Sequence, residues 1–227
     1  MNKQIMKAKD TDMLPMPDVR VDTGLYAKNS DCLAAWMLLE GAEVFGGIKP
    51  ANLINLKNQP RRCGRNLYAI WKQEGGALIA RSGLETAVLA DRHDSLLLLL
   101  YRPAMVASLL KQPSVRRLLA RAGYQDDASM DMCVKLLSER ASLGVFPHEI
   151  GIFLGYPLKD VAAFMGLCRI PFSCQGPWKI YGNPAVSLDL AATFKKCRQN
   201  MALHLNSALI AVEELVLSGP GFFVSGN

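Results

Sequence analysis

The sequence predicts an α+β domain with a small sheet of about three to four strands, packed with about seven helices, and a C-terminal half that is mostly helical. Short apolar segments separated by turn residues lie between residues 77 and 101. Helix-starting prolines and capping residues recur from residue 103 onwards, and apolar residues repeat at steps of three and four between residues 186 and 205. Hydrophobic residues make up 50% of the 227, so the chain can bury a core.

The first third of the chain has the weaker patterns. A helix is predicted at residues 25–39, after which the double glycine Gly46-Gly47 breaks helical structure. We expect a short strand or an extended loop there, followed by a helical turn that Pro50 begins. A second helix is predicted at residues 66–72, and the glycine pair at 75 and 76 is expected to end it.

Three strand segments are predicted next, at residues 77–81, 86–90 and Ser95–Tyr101. The last is a continuous leucine run, which is typical of a strand buried on both faces. Helices are then predicted at 103–111, from a Ser114 cap to Gly123, at 129–141 and at 186–205. Residues 170–181 are expected to form a loop and one strand.

The composition predicts one globular domain at residues 24–217, between a flexible N-terminal tail (1–23) and a loose, Gly-rich C-terminal tail (218–227). The first tail lacks the apolar core of a signal peptide, and no apolar run approaches the roughly 20 residues of a membrane span. We therefore expect a cytoplasmic protein without a membrane segment. Its six cysteines are expected to be free thiols.

The net charge of +6 is compatible with acidic partners. The two basic clusters, at residues 61–65 and 116–121, contain no interleaved aromatic residues of the kind that single-strand binders use. The sequence therefore does not favour nucleic-acid binding.

Residues 146–165 combine conformationally restricted and ionisable residues at high density. Pro147 is expected to begin a helix with His148 and Glu149 in its first turn, where the helix dipole stabilises a carboxylate and favours a neutral imidazole. Gly155 ends that helix and Pro157 begins the next. We assign His148 as a candidate catalytic base or ligand and Glu149 as its partner, although such a corner can also form for packing alone.

No metal site is predicted, because position 152, which would carry the second histidine of a His-Glu-x-x-His zinc motif, is isoleucine. Three cations are candidate ligand-binding residues, because they lie at element ends in Gly-, Pro- or aromatic-rich contexts: Lys49, Arg102 and Lys179. Three aromatic residues are candidate apolar walls of the same pocket: Tyr156, Trp178 and Tyr181. If the three cations converge near His148, they would form an anion pocket with aromatic walls. The alternative is three surface cations paired with acidic residues.

The segment Phe-Pro-His-Glu-Ile-Gly-Ile-Phe-Leu-Gly-Tyr-Pro-Leu-Lys-Asp-Val resembles the signature of the domain-of-unknown-function family 3793, found mainly in anaerobic bacteria. Gly-Ile-Lys-Pro at residue 47, Leu-Tyr-Arg-Pro at 100, Trp-Lys-Ile-Tyr-Gly at 178 and Lys-Lys-Cys-Arg at 195 resemble its other blocks in the same order. The resemblance spans residues 26–215, with departures at 42–45 and 167–174. It implies no established activity, and it implies redox or iron metabolism only through loosely associated genes for flavodoxin and ferrous-iron uptake.

Three functional hypotheses follow. The first is binding, with or without chemical transformation, of an anionic small molecule or cofactor near the His-Glu motif. The second is a non-catalytic module that binds a redox-protein partner. The third is an iron or haem protein that uses His148 with a cysteine. Cys197 lies on the apolar stripe of the last helix, so we expect it to be a core residue. The identity of the cofactor, the substrate and the oligomeric state are not predicted.

Overall fold

The computed structural model describes residues 26, 28–144 and 146–207. The predicted α+β class is confirmed, because a three-stranded antiparallel sheet and a separate two-stranded antiparallel sheet are packed with helices. The two predicted tails, residues 1–23 and 218–227, lie outside the described residues. Within the described part of the chain, no helix is long and apolar enough to cross a membrane.

The N-terminal half contains α1 (Asn29–Glu40), α2 (Ala42–Phe45), β1 (Ala51–Lys57), α3 (Leu67–Ile70), a π-helical turn (Trp71–Gly75), α4 (Gly76–Ala80), β2 (Glu85–Asp91) and β3 (Ser95–Tyr101). The C-terminal half contains α5 (Pro103–Leu110), α6 (Pro113–Arg121), α7 (Met130–Ser142), α8 (Ile150–Phe153), α9 (Leu158–Phe164), β4 (Phe172–Gln175), β5 (Lys179–Tyr181) and α10 (Ala185–Ser207).

The leucine-rich strand β3 lies at the centre of the larger sheet, between β1 and β2. Its side chains alternate between two cores: Leu96, Leu98 and Leu100 pack with α1 to α4 and the end of α10, whereas Leu99 and Tyr101 pack with α5 to α9. The sheet is therefore the middle of three layers, and the prediction of a strand buried on both faces is confirmed.

Two predicted elements have the wrong type. The helical turn expected after Pro50 is strand β1, because pairing with β3 along its whole length fixes that segment as extended. Residues 77–81, predicted as a strand, lie in and just after α4. The glycine pair at 75 and 76 does not end the helix. A Cβ at Gly75 would lie 2.3 Å from the ring of Trp71, so this glycine makes room for the tryptophan inside a helix that continues.

The C-terminal half differs from prediction in three details. Residues 170–181 form two strands, β4 and β5, and not one. The N-cap position of α6 is Gln112, and Ser114 lies one residue inside the helix. Val186, expected on the buried stripe of α10, is exposed, whereas Phe194 packs with Trp178 and Ile180 in a small third core between the hairpin and α10.

Candidate functional site

The His-Glu motif lies at the corner between α7 and the α8–α9 pair. The regular part of α8 begins at Ile150, so His148 and Glu149 lie in the turn before the helix and not in its first turn as predicted. Gly155 ends α8 with a φ of +73°, and a Cβ there would lie 2.7 Å from the Pro50 ring. Glycine at this position therefore permits both the turn and the close packing of the motif against the start of β1.

His148 and Glu149 have opposite surroundings. His148 is exposed, and its ring packs edge-to-face on Phe164 with centroids 4.8 Å apart. Glu149 is only 5% exposed and accepts hydrogen bonds from Arg140 Nη1 (2.7 Å) and Tyr124 Oη (3.2 Å). The Glu149 carboxylate therefore ties the motif to α7, while the imidazole is available to solvent.

Lys49 is in the interior, in a group that we call the buried lysine cluster: Glu43, Lys49, Asn52, Tyr156 and Phe194. Lys49 is 4% exposed, and its Nζ donates to Asn52 Oδ1 at 2.7 Å. The same Nζ lies 5.3 Å from the Tyr156 ring centroid and 5.2 Å from that of Phe194. The aromatic faces and the amide compensate a buried cation.

The Glu43 carboxyl group and the Lys49 amine of this cluster affect each other's pKa. Burial lowers the pKa of Lys49 to about 8, although the neighbouring Glu43 carboxylate opposes this change. Burial also raises the pKa of Glu43, and the Lys49 ammonium partly offsets that effect. Asn52 links the two groups, because its Nδ2 lies 3.5 Å from Glu43 Oε2 while its Oδ1 accepts from Lys49, and Lys49 does not face solvent as an anion clamp would.

Arg102 connects the end of β3 to α2. Its Nη2 donates to the carbonyl oxygens of Val44 (3.1 Å) and Phe45 (3.3 Å), which lie in the last turn of α2, where backbone carbonyls lack partners within the helix. Within the described residues its buried Nε has no hydrogen-bond partner, and burial lowers its pKa. These contacts give the guanidinium a role in holding the α2 corner.

Asp160 is a residue that the sequence analysis missed, and it organises this region. The side chain is 1% exposed. Its Oδ2 accepts from Trp178 Nε1 (2.9 Å) and Ser187 Oγ (2.6 Å), and its Oδ1 accepts from Lys159 Nζ (2.7 Å) and the Tyr181 backbone N–H (2.9 Å). Burial alone would raise its pKa, but these four donors outweigh burial and lower it. One carboxylate therefore fixes α9, β5 and α10 to one another.

Tyr156 and Trp178 link the interior groups. Their rings stack with centroids 4.4 Å apart and planes 20° apart. Trp178 is buried, and burial raises the pKa of Tyr156. The two predicted wall residues thus join the buried lysine cluster to Asp160 from within the protein.

The remaining predicted residues lie at the surface together with two phenylalanines. We call this group the aromatic–cationic face: His148, Lys179 and Tyr181 with Phe164 and Phe172. Lys179 Nζ lies 5.5 Å from the Phe164 ring centroid, on the ring that also contacts His148. Phe172 packs edge-to-face on Tyr181 at 5.9 Å. Phe164 is 39% exposed and Phe172 is 56% exposed. Neither phenylalanine was among the predicted site residues.

The exposed charges of the segment that forms most of this face have one sign. Between residues 146 and 184 the only acidic residues are Glu149 and Asp160, and both are buried in ion pairs, with Arg140 and Lys159 respectively. Lys179 and Arg169 are exposed in the same segment. No uncompensated carboxylate of the segment therefore competes with an anion for these cations.

The cysteines and histidines do not assemble a metal site in the described part of the chain, where no three His, Cys, Asp or Glu residues are grouped so that they could hold an ion. Cys197 Sγ donates to the Ala42 carbonyl oxygen at 3.4 Å. Burial, with a smaller contribution from Glu43, raises the pKa of this thiol to about 12. A protonated, half-buried thiol is a poor nucleophile and a poor metal ligand.

Comparison with known proteins gives one result. No curated protein and no solved structure matches the chain. Residues 37–216 match the model of a family described as "Protein of unknown function (DUF3793)". The match covers most of the 227 residues, including the buried lysine cluster, Asp160 with its partners and the aromatic–cationic face. The chain therefore belongs to this family of proteins of unknown function.

Proposed function

We propose that this protein binds an anionic ligand that carries a flat unsaturated ring, and that it does so on the aromatic–cationic face. The observation that carries the proposal is the exposed Lys179 next to the partly exposed ring of Phe164, in a segment whose carboxylates are both neutralised internally. Phosphorylated small molecules and cofactors belong to this ligand class.

The chemistry of the face matches such a ligand at both ends. An exposed phenylalanine ring offers a stacking surface for a flat group. The Lys179 ammonium supplies a compact positive charge for a phosphate or carboxylate, and His148, whose ring also contacts Phe164, supplies a second donor. Of the predicted ligand-binding residues, Lys179 and Tyr181 contact the ligand, while the buried ones support the face.

Binding without turnover is the favoured activity. A general base needs a group that orients it, and the carboxylate predicted to orient His148 is instead bonded to Arg140 and Tyr124. We therefore assign His148 to ligand contact and Glu149 to positioning of the motif.

The test is calorimetric titration of the full-length protein, at low salt, with adenosine 5′-monophosphate as the probe. Adenosine and inorganic phosphate serve as half-ligands. We expect the nucleotide to bind more tightly than either half, and Lys179→Ala to weaken it about 5-fold or more, as expected for a partly desolvated cation contact. The matched control is Lys135→Ala, which removes an exposed lysine of α7. Equal affinity in the two lysine variants would contradict the proposal.

A further inference from the structure

We infer that the ligand of the aromatic–cationic face is a single-stranded nucleic acid. The inference rests on the proposed function, because it uses the same face, and it goes further by naming a polymer as the ligand. Its basis is the arrangement of rings and cations on the surface, which a ligand with several bases and phosphates fits better than a single small molecule does.

The face contains two separate aromatic pairs. His148 with Phe164 forms one, and Phe172 with Tyr181 forms the other. Lys179 joins them, since its Nζ lies over the Phe164 ring and its Cα is two residues from Tyr181 on strand β5. A single flat ring occupies one pair only. Two successive bases with the phosphate between them would use both pairs and the lysine.

The alternation of strand β5 explains why these groups share a side. Ile180 is completely buried in the third core, so its neighbours Lys179 and Tyr181 project to the opposite side of the hairpin. Phe172 is the register partner of Tyr181 on β4 and points to the same side. The hairpin thus presents two aromatic rings and a lysine on one side. Such a surface accepts any base, because every base has a π-face.

The exposed charges of this segment favour a polyanionic ligand over a neutral or a cationic one. Arg169, in the connection from α9 to β4, is a second exposed cation of the same segment. Both carboxylates of the segment are buried and ion-paired, so neither of them presents a free negative charge to phosphates. Such complementarity supplies affinity that depends on salt, and stacking supplies preference for single strands.

The basic clusters of the sequence, at 61–65 and 116–121, lack interleaved aromatic residues, and for this reason the sequence did not favour nucleic-acid binding. Folding produces the interleaving elsewhere. The rings and the lysine come from the turn before α8, from α9, from β4 and from β5, and they alternate only in space.

The test is fluorescence anisotropy with the full-length protein and a labelled ten-nucleotide oligothymidylate, compared with a duplex of the same length and with thymidine 5′-monophosphate. We expect the oligonucleotide to bind more tightly than the duplex and the mononucleotide. Its affinity should fall with salt, and Lys179→Ala should reduce the slope of that dependence by about 0.7. Phe172→Ala should weaken binding about 5-fold or more, because one stacking surface is lost. The matched control is Leu203→Ala, an exposed apolar residue of α10 outside the face.

The outcomes separate this inference from the proposed function. Binding of the mononucleotide as tightly as the oligonucleotide would overturn the polymer and leave the proposed function standing. Equal binding of duplex and single strand, or equal effects of Phe172→Ala and Leu203→Ala, would also overturn the inference, because charge alone would then account for the affinity. Absence of binding to every probe at low salt would overturn both.

Discussion

Replacing Asp160 with Asn tests whether one buried carboxylate holds the aromatic–cationic face in place. Aspartate accepts four hydrogen bonds, two at each oxygen, whereas asparagine has one acceptor oxygen and one NH₂ group of almost the same shape. The best asparagine orientation keeps its oxygen towards Lys159 Nζ and the Tyr181 N–H. Its NH₂ can then donate to Ser187 Oγ, but it faces the Trp178 indole N–H, which is left without an acceptor.

The cost follows from these losses. An unsatisfied buried donor costs about 1–3 kcal/mol, and loss of the ionic character of a buried pair adds a comparable amount. We therefore expect Asp160→Asn to lower the free energy of unfolding by about 3–5 kcal/mol at neutral pH. Because the hydrogen bonds lower the folded-state pKa of Asp160, the wild-type advantage is present above the unfolded pKa of about 3.9 and disappears as the pH falls through the folded value.

Urea unfolding followed by tryptophan fluorescence measures this difference. The control is Asp189→Asn, which changes an exposed carboxylate of α10 and should stay within about 0.5 kcal/mol of wild type. Binding to the anionic probe provides a second readout, since loss of the β5 anchor should weaken it even in conditions where the variant is fully folded. A variant as stable as the Asp189 control, with unchanged binding, would refute the positioning role of Asp160.

Three other predictions follow from the site. Between pH 8 and about 10.4 the unfolded chain keeps the Lys49 proton that the folded chain has lost, so stability should rise with pH in wild type relative to Lys49→Met. The Lys49 pKa is lowered from 10.5 to about 8, which limits the rise in the free energy of unfolding to about 3 kcal/mol. Parallel pH profiles of wild type and Lys49→Met in chemical unfolding would contradict this prediction. Gly155→Ala should cost at least about 1 kcal/mol more in urea unfolding than Gly166→Ala, because both glycines have positive φ but only the first has a close neighbour, and equal costs would count against that contact. Glu149→Gln should destabilise by about 1–3 kcal/mol and weaken nucleotide affinity less than Lys179→Ala does, because Glu149 positions the motif without contacting the ligand; a calorimetric loss of affinity in the folded variant as large as that of Lys179→Ala would restore its predicted role beside His148.

The fold was predictable where pattern and burial agree. The leucine run of β3 and the apolar repeat at steps of three and four in α10 are local patterns that burial of the same residues explains. Both elements form as predicted. The errors fall where a residue or strand distant in sequence determines the local secondary structure. Ala51–Lys57 is a strand because β3 lies beside it, and the glycine at 75 serves the ring of Trp71 and not a helix end. A linear pattern contains no information about either neighbour.

The tight corner at the His-Glu motif was predictable, but the placement of its ionisable side chains was not. The dense motif at 146–165 does form a tight corner, yet its ionisable pair separates: Glu149 faces Arg140, and His148 faces Phe164 and solvent. The same separation applies to the cations, since Lys49 is enclosed by rings while Lys179 lies on them from outside.

Burial divides the ionisable residues of this region, predicted or not, into two kinds. A side chain that is already compensated by internal partners gains little from an added ligand, so Lys49, Glu149 and Asp160 are unsuited to bind one. Lys179 has a ring beneath it and no carboxylate within its segment to pair with. Because both acidic residues of that segment are neutralised inside the protein, the surface retains a positive charge next to exposed rings, and for this reason we propose an anionic aromatic ligand.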